Sequence, residues 1–213
     1  MKTDPFLLRC TPLPSKFYQR ETLALRSEIL GKLLVRIIRG KVLAGRIVEI
    51  EAYKGNDPAS HAARGLTNRN KVMYHAGGVA YVYFTYGMHF CFNIVTEKEG
   101  LPAAYLVRAL EPLHGIGEME KRRGVGDIRN LTNGPAKLCQ AMDIGRELNG
   151  IQLDSSKLFL ADDGFRVKDK MIVATTRIGI RVGTDRKWRF FLRGNKFVSG
   201  FSPGRTRSGG EER

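Results

Sequence analysis

The sequence predicts an α+β fold, a single domain in which β-strands are combined with a few short α-helices. Apolar or alternating runs typical of strands occupy 33–38, 42–53 and 103–110. Apolar residues at helical spacing predict one helix over 21–30, and a proline near the first position predicts another over 135–142. The chain has 213 residues with no internal repeat and no linker, so its length fits one sizeable domain.

The organisation outside these elements follows from composition. Residues 1–19 hold three of the eight prolines and are expected to form an irregular arm before the domain proper, residues 20–201. The last segment, residues 202–213, is rich in Ser, Gly and Arg and is expected to be a flexible tail. Short strands are also predicted at 157–161, 171–180 and 189–192.

The charge balance is strongly basic. Thirty-six Lys and Arg residues against 21 Asp and Glu residues give a net charge of +15, which favours a polyanionic partner and most often a nucleic acid. An anionic membrane is the competing partner. The sequence shows neither a basic amphipathic helix nor an apolar run long enough to span a bilayer, so no membrane association is expected.

Cysteine and histidine usage limits the chemistry. The three cysteines, Cys10, Cys91 and Cys139, are scattered and odd in number, which fits neither a disulfide framework nor a zinc site. The four histidines show no ligand-like spacing, so neither a metal nor a cofactor is expected. Residues 1–5 lack the apolar segment of a secretory signal. We expect an intracellular protein, in the cytoplasm and nucleoid if the chain is bacterial.

Residues 80–93 predict a β-hairpin rich in aromatic side chains. Both halves alternate with period two, and the step from Tyr86 to Gly87 between them suits a tight turn. One face of this hairpin would be apolar, and Tyr86 would stand at its tip. An ordinary half-buried hairpin fits the same pattern. The other face would carry Tyr81, Tyr83, His89 and Asn93.

Two carboxylates, Glu49 and Glu51, share one face of the predicted strand 42–53. On a solvent-facing strand, two carboxylates are ordinary surface residues and would indicate no function. Arg108, however, lies alone in an otherwise apolar strand, where a buried charge requires a partner. Glu51 or Glu49 is the natural partner, and a carboxylate held by Arg in a cleft can hold and activate a water molecule.

Together, these features indicate chemistry on a nucleobase. An enzyme that acts on a base must take it out of the duplex, stack it in an aromatic pocket and fill the gap left behind. Stacking on each aromatic ring is worth roughly 1–3 kcal/mol, enough to offset an extrusion cost of a few kcal/mol. The tyrosines, the carboxylate–Arg pair and the basic surface suit those three tasks.

The sequence resembles the alkyladenine (3-methyladenine) DNA glycosylase family, in its bacterial type. The resemblance extends from about Leu30 to Leu192, and several motifs in a fixed order make it specific. The motifs occupy 46–53, 61–65, 67–70, 80–83, 86–88, 106–112 and 134–141. The resemblance implies one α+β domain with a curved, mainly antiparallel sheet and flanking helices. It also implies a monofunctional enzyme, expected to be a monomer, that acts on double-stranded DNA containing damaged purines. Water would hydrolyse the N-glycosidic bond of a flipped alkylated or deaminated purine, such as 3-methyladenine, hypoxanthine or ethenoadenine, to leave an abasic site.

The resemblance also implies roles for the residues around the water. Glu51 matches the general base that deprotonates the water attacking C1′. Arg108 matches the residue that helps to hold that carboxylate and the water, and the backbone near Ile178 matches a segment that touches the water. A nearby anion would also stabilise the positive charge that develops on the sugar.

Further matches concern the base and the duplex. By resemblance, the extruded base is sandwiched by three side chains, Tyr81 hydrogen-bonds the histidine among them, and Asn93 discriminates against the exocyclic amino group of guanine. Tyr86 matches the wedge inserted through the minor groove. The three sandwiching side chains are Tyr53, His61 and Tyr83.

The basic residues Lys121, Arg122, Arg123 and Lys137 are predicted phosphate contacts. Solvated helix termini explain the same residues equally well. Two alternatives for the whole chain also stay open: a catalytically silent nucleic-acid-binding module with the same fold, and a bifunctional lyase that uses a lysine nucleophile.

Overall fold

The computed structural model describes residues 4–200, which form a single α+β domain around one mainly antiparallel sheet of nine strands. The strands are β1 (Thr11–Pro12), β2 (Leu33–Ile38), β3 (Lys41–Lys54), β4 (Ala80–Thr85), β5 (His89–Val95), β6 (Ala103–His114), β7 (Leu158–Asp162), β8 (Ile172–Thr175) and β9 (Arg189–Leu192). The α-helices are α1 (Ser15–Tyr18), α2 (Arg26–Ile29), α3 (Ile116–Arg123) and α4 (Pro135–Ala141). The predicted α+β fold is confirmed.

The strand order places β3 in the middle of the sheet. The main path is β1-β7-β2-β3-β6-β5-β4, while β9 pairs with β3 and β8 pairs with β9. All of these pairings are antiparallel. β2, β6 and β9 all pair with β3, and two carboxylates of this central strand, Glu49 and Glu51, are fully buried.

Next to Glu49, the pairing of β3 with β6 contains two compensating irregularities. Ile47 pairs with Leu110 and Glu49 with Ala109, so one extra residue, Val48, lies on β3. Ile50 then pairs with Val107, so one extra residue, Arg108, lies on β6. A bulge re-aims the side chain that it carries. The bulge on β6 therefore falls at the single arginine of this apolar strand.

Two of the three hydrophobic clusters in the described residues connect the sheet with α4 and with the loop that carries His61. The larger one packs α4, through Leu138 and Ala141, against sheet residues such as Ile50 and Phe92. The smaller one includes Ala62 from the segment after β3, and it joins that segment to β4 and β6. The loop that carries His61 is thereby fixed on the sheet.

Several local elements differ from the sequence-based predictions. The predicted helix 21–30 is a 3₁₀ turn at Leu23–Leu25 followed by the one-turn helix α2. The predicted strand 171–180 is shorter, since β8 ends at Thr175. Helix α3 was not predicted. Residues 4–19 include a 3₁₀ helix, α1 and β1, which pairs with β7. The predicted tail 202–213 lies outside the described residues.

No helix within residues 4–200 is long and apolar enough to cross a membrane.

Candidate active site

A cavity of about 390 Å³ opens beside the β4–β5 hairpin, β6 and the loop that follows β8. Its volume is typical of a small-molecule pocket. Glu51 does not line the cavity, because its side chain is fully buried at 0% exposure behind three of the lining residues. The other residues predicted to hold the base, the water or the duplex gap all line it: Tyr53, His61, Tyr81, Tyr83, Tyr86, Asn93, Arg108 and Ile178.

The Glu51 carboxylate is held by three donors. The backbone N–H of Ile178 donates to Oε1 at 2.8 Å, and Nη1 of Arg108 lies 3.2 Å from the same oxygen. The Tyr53 hydroxyl donates to Oε2 at 2.8 Å. Burial, together with the adjacent Glu51 carboxylate, raises the pKa of Tyr53, so its phenol stays a donor. A carboxylate has about four acceptor positions. These three contacts leave one acceptor position, on Oε2, without a partner among the described residues.

Arg108 bridges both carboxylates of β3. Its Nε lies 3.0 Å from Oε1 of Glu49, and its Nη1 reaches Glu51. The sequence predicted one of these two partners, and the structure provides both. The bulge on β6 is the local cause, because it places Arg108 between the levels at which Glu49 and Glu51 pair with β6.

Glu49 is the centre of a second polar cluster, fully buried like Glu51. Besides Arg108, it accepts from Nε of Arg189 at 2.7 Å, from the backbone N–H of Ser199 at 2.6 Å and from the Ser199 hydroxyl at 2.8 Å. Sequence reasoning missed Arg189 and Ser199. The pairing of β9 with β3 brings Arg189 opposite Glu51 in the sheet register, and no local pattern announces a pairing across about 140 residues of chain.

Aromatic rings form one wall of the cavity. The His61 ring meets Tyr83 edge-on with 4.5 Å between ring centroids, and the Tyr81 and Tyr83 centroids are 5.4 Å apart. Nδ1 of His61 lies 2.8 Å from the Tyr81 hydroxyl, which is the contact that the resemblance implied. Asn93 donates its side-chain amide to the Tyr81 carbonyl at 3.0 Å. These groups were predicted to lie together, and the structure brings them together.

The protonation of this wall follows from burial and one cation. Burial, and after it the nearby positive charge of Arg69, lowers the pKa of His61. Burial raises the pKa of Tyr81 to about 12. At neutral pH, His61 is therefore neutral and Tyr81 is protonated, so the Tyr81 hydroxyl can donate to Nδ1 and leave the proton of the imidazole on Nε2. Sequence reasoning did not single out Arg69.

A buried ion pair joins the loop before His61 to the loop that carries Ile178. Nη2 of Arg177 lies 2.9 Å from Oδ1 of Asp57, and both side chains are fully buried. Nη1 of Arg177 also donates to the Ala52 carbonyl at 2.9 Å. The guanidinium lies 4.6 Å from the centre of the Tyr53 ring. The sequence analysis missed this pair. Its only sequence signal is an arginine directly before Ile178.

Tyr86 stands at the tip of the β4–β5 hairpin, as predicted. Its side chain is 82% exposed although it borders the cavity. Its backbone has a positive φ of 51°, and Gly87 follows with φ 68°. Nη2 of Arg69 donates to the Phe84 carbonyl at 3.2 Å, which braces one strand below the turn. A large aromatic ring is thus held in solvent at the cavity mouth.

The predicted phosphate contacts lie on two packed helices, α3 and α4. Lys137 is in the first turn of α4, whose first residue, Pro135, lines the cavity. Its Nζ donates to Oδ1 of Asn133 at 2.8 Å, and burial followed by the charge of Arg123 lowers the pKa of Lys137. The other three lie in the last turn of α3: Lys121, Arg122 and Arg123.

The three residues of α3 differ in their freedom. Arg122 pairs with Glu118 at 3.1 Å, and Arg123 bonds the side chain of Gln140 on α4. Arg122 and Arg123 thus have side-chain partners, as Lys137 has in Asn133, whereas Lys121 is exposed.

The part of the chain that the structure describes offers no set of side chains suited to bind a metal ion. Within residues 4–200, no group of three His, Cys, Asp or Glu side chains is placed to hold a metal ion. Cys10, Cys91 and Cys139 are free thiols. Burial raises the pKa of Cys91, which lines the cavity, so its thiol stays protonated.

Comparison with known proteins gives the class of this α+β chain: it is a DNA glycosylase, a hydrolase of N-glycosidic bonds. It belongs to the family described as Methylpurine-DNA glycosylase (MPG), whose sequence profile matches residues 16–196. This confirms the family that the sequence motifs indicated.

Several curated relatives are similar over most of the chain, and each is named "Putative 3-methyladenine DNA glycosylase". The protein of Carboxydothermus hydrogenoformans is 50% identical over 187 residues, which cover 88% of this chain and 98% of that protein. The protein of Methanoculleus marisnigri is 46% identical over 190 residues, covering 88% and 98%. The protein of Chlorobaculum parvum is 47% identical over 189 residues, covering 88% and 90%.

Proposed function

We propose that this DNA glycosylase is monofunctional and releases damaged purines from double-stranded DNA with water as the nucleophile. The observation that carries the proposal is the buried Glu51 carboxylate, held by Arg108, Tyr53 and the Ile178 N–H directly behind an aromatic-walled cavity. The relatives are named for 3-methyladenine, and we propose alkylated purines of that type as the main substrates. Hypoxanthine and ethenoadenine are proposed as further substrates.

In the proposed reaction, Glu51 acts as the general base. A water molecule that uses the remaining acceptor position of the carboxylate gives its proton to Glu51 while its oxygen bonds to C1′ of the sugar. The C1′–N bond breaks, and its electron pair leaves with the purine. The anionic carboxylate also stabilises the positive charge that grows on the sugar. Arg108 pairs with the carboxylate and orients it.

The substrate preference follows from the leaving group. A purine alkylated at N3 or N7 is cationic, so the departing electron pair neutralises it and no proton is needed. A cationic ring also stacks favourably on the faces of aromatic side chains. Tyr53, His61 and Tyr83 are proposed to hold the extruded base, and Asn93 to disfavour the amino group of normal guanine.

Reaching the cavity requires the damaged nucleotide to leave the duplex. We propose that Tyr86, exposed at the hairpin tip, fills the gap through the minor groove. Lys121, Lys137 and the neighbouring arginines of α3 are proposed to contact phosphates. The protein is proposed to act as a monomer on chromosomal DNA, in the cytoplasm and nucleoid if the chain is bacterial, without a metal or cofactor.

The test is base release from defined duplexes. Purified protein should liberate 3-methyladenine and leave alkali-labile abasic sites, and Glu51→Gln should lower single-turnover release by roughly 10²–10⁴-fold. Gln keeps the size of the side chain, so binding of the damaged duplex should persist. Intact alkylated and hypoxanthine-containing DNA after incubation with folded wild-type protein would refute the proposal.

Two further readings separate the alternatives. A binding module would retain damaged DNA yet release no base, and wild type and Glu51→Gln would behave alike. A lyase with a lysine nucleophile would leave a covalent complex after borohydride reduction. We expect base release and no such complex. The order of preference is read from parallel assays with 3-methyladenine, ethenoadenine and hypoxanthine.

A further inference from the structure

We propose that Glu49 and Arg189 form a second ion pair that acts through Arg108 and sets the pH range in which Glu51 works as a base. This inference rests on the proposed function of Glu51. Neither residue lines the cavity, so both are positioning residues. The chain of contacts runs from Arg189 to Glu49 at 2.7 Å, from Glu49 to Arg108 at 3.0 Å and from Arg108 to Glu51 at 3.2 Å.

The four charged groups of the cluster balance one another. Arg108 alone cannot neutralise two carboxylates, and both carboxylates are fully buried, where an excess charge is costly. Arg189 supplies the second positive charge from β9. With all four groups ionised, the cluster has no net charge.

Neutral groups also hold Arg189 and Glu49 in place. Arg189 also donates to the Thr175 hydroxyl at 3.2 Å, and its guanidinium lies 4.7 Å from the centre of the Phe191 ring. Ser199 donates to Glu49 with both its backbone N–H and its hydroxyl. These partners are neutral. Within this cluster, the charge that acts on Glu49 therefore comes from Arg108 and Arg189.

Several charged and titratable groups surround Glu51 itself. Arg108, the Tyr53 hydroxyl and the Ile178 N–H bind it directly. Arg177 and the Cys91 thiol lie within electrostatic reach. Arg177 pairs with the buried Asp57, which Arg186 also approaches at 3.7 Å. These groups stay the same when the Glu49–Arg189 pair is altered, so removing one member of that pair changes the net charge beside Glu51 by one unit.

The two possible deletions should shift activity in opposite directions. Glu49→Gln leaves Arg108 and Arg189 facing Glu51 alone, which favours the anion, so the acid-side midpoint of single-turnover excision should fall by about one pH unit. Arg189→Gln leaves two carboxylates on one arginine, so the same midpoint should rise by about one pH unit. The double variant Glu49→Gln/Arg189→Gln restores neutrality and should return the midpoint towards the wild-type value.

Two controls separate charge from structure. Arg189→Lys keeps the charge and should leave the midpoint near the wild-type value. Arg193→Gln removes an exposed arginine just beyond β9 whose guanidinium bonds the Lys170 carbonyl, and it should not move the midpoint. If Glu49→Gln does not fold, the comparison of Arg189→Gln with Arg189→Lys still decides.

The readout is excision of an alkylated base against pH, with folding verified by circular dichroism at each pH. Midpoints that stay fixed in both deletions, or that move in the same direction, would overturn the inference while wild-type activity upheld the proposed function. Folded wild-type protein without base release would refute the proposed function and this inference with it.

Discussion

At the scale of single residues, the surroundings of His61 determine its protonation state. Its ring is packed against Tyr83 and bonded through Nδ1 to Tyr81, and the charge of Arg69 lies nearby. Burial and that charge both disfavour the imidazolium. A neutral ring can present Nε2–H to a base in the cavity, whereas a charged ring would repel a cationic purine.

We expect the His61 imidazole to titrate below its ordinary value of about 6.5 in an NMR titration, and Arg69→Gln to raise the midpoint towards that value. Because the pKa of His61 is lower in the folded protein than in the unfolded chain, the unfolded chain binds this proton more readily. The free energy of unfolding that His61 contributes should therefore fall as the pH drops below about 6.5, and it should level off below the folded-state pKa. Loss of the signal in His61→Gln assigns the resonance. A wild-type midpoint above 6.5, or one that Arg69→Gln leaves in place, would contradict this account.

Individual residues of the site could be predicted where the chemistry is local. The lone Arg108 in an apolar strand required a carboxylate, and the face shared by Glu49 and Glu51 supplied one. Arg189 and Asp57 could not be found in this way. Their contacts depend on strand β9 and on a loop fold, which join positions far apart in the chain.

At the scale of elements, the turn of the β4–β5 hairpin has an energetically unfavourable backbone conformation at Tyr86. A non-glycine residue in the left-handed region is unfavourable by roughly 1–2 kcal/mol, and Tyr86 has φ 51° while its ring makes little use of the core at 82% exposure. The turn therefore serves to display the ring outside the fold, and we expect the ring to matter for duplex DNA more than for stability.

We expect Tyr86→Ala to reduce excision from duplex DNA by roughly 5- to 160-fold, since that range corresponds to a lost stacking contact of roughly 1–3 kcal/mol. Excision from single-stranded DNA should change little, because no gap needs filling. The free energy of unfolding should stay within about 0.5 kcal/mol of the wild-type value, as for other exposed substitutions. Equal losses on both DNA forms would argue against the wedge.

Elements with a clear pattern were predictable, including short ones such as β7, β9 and α4, whereas segments with a weak or misleading pattern were not. β3 and β6 have enough alternating or apolar residues to outweigh local noise, and their predicted positions agree with the structure. Residues 176–180 imitate a strand by alternation, yet the chain turns there at Gly179, φ 79°, and presents the Ile178 N–H to Glu51. Helix α3 was hidden because left-handed glycines bound it on both sides and only Met119 is buried.

At the scale of the whole molecule, the net charge of +15 makes a prediction about salt. In a plot of log K for DNA binding against the logarithm of the salt concentration, each phosphate that the protein neutralises makes the slope more negative by about 0.9. Which cations contribute cannot be read from composition, because charge spreads over the whole surface. The structure narrows the choice, since Lys137 lies in the first turn of the helix that begins at the cavity edge.

A matched pair of substitutions tests whether the charge near the cavity is the charge that DNA uses. Lys137→Gln and Arg39→Gln each remove one positive charge. Arg39 is exposed in the β2–β3 turn, at the opposite end of the 14-residue strand β3 from Glu51, and it should be remote from bound DNA. Duplex binding measured between low and physiological salt should lose about 0.9 of its log–log slope in Lys137→Gln and keep the wild-type slope in Arg39→Gln. Equal slopes in both variants would place the DNA elsewhere on the basic surface.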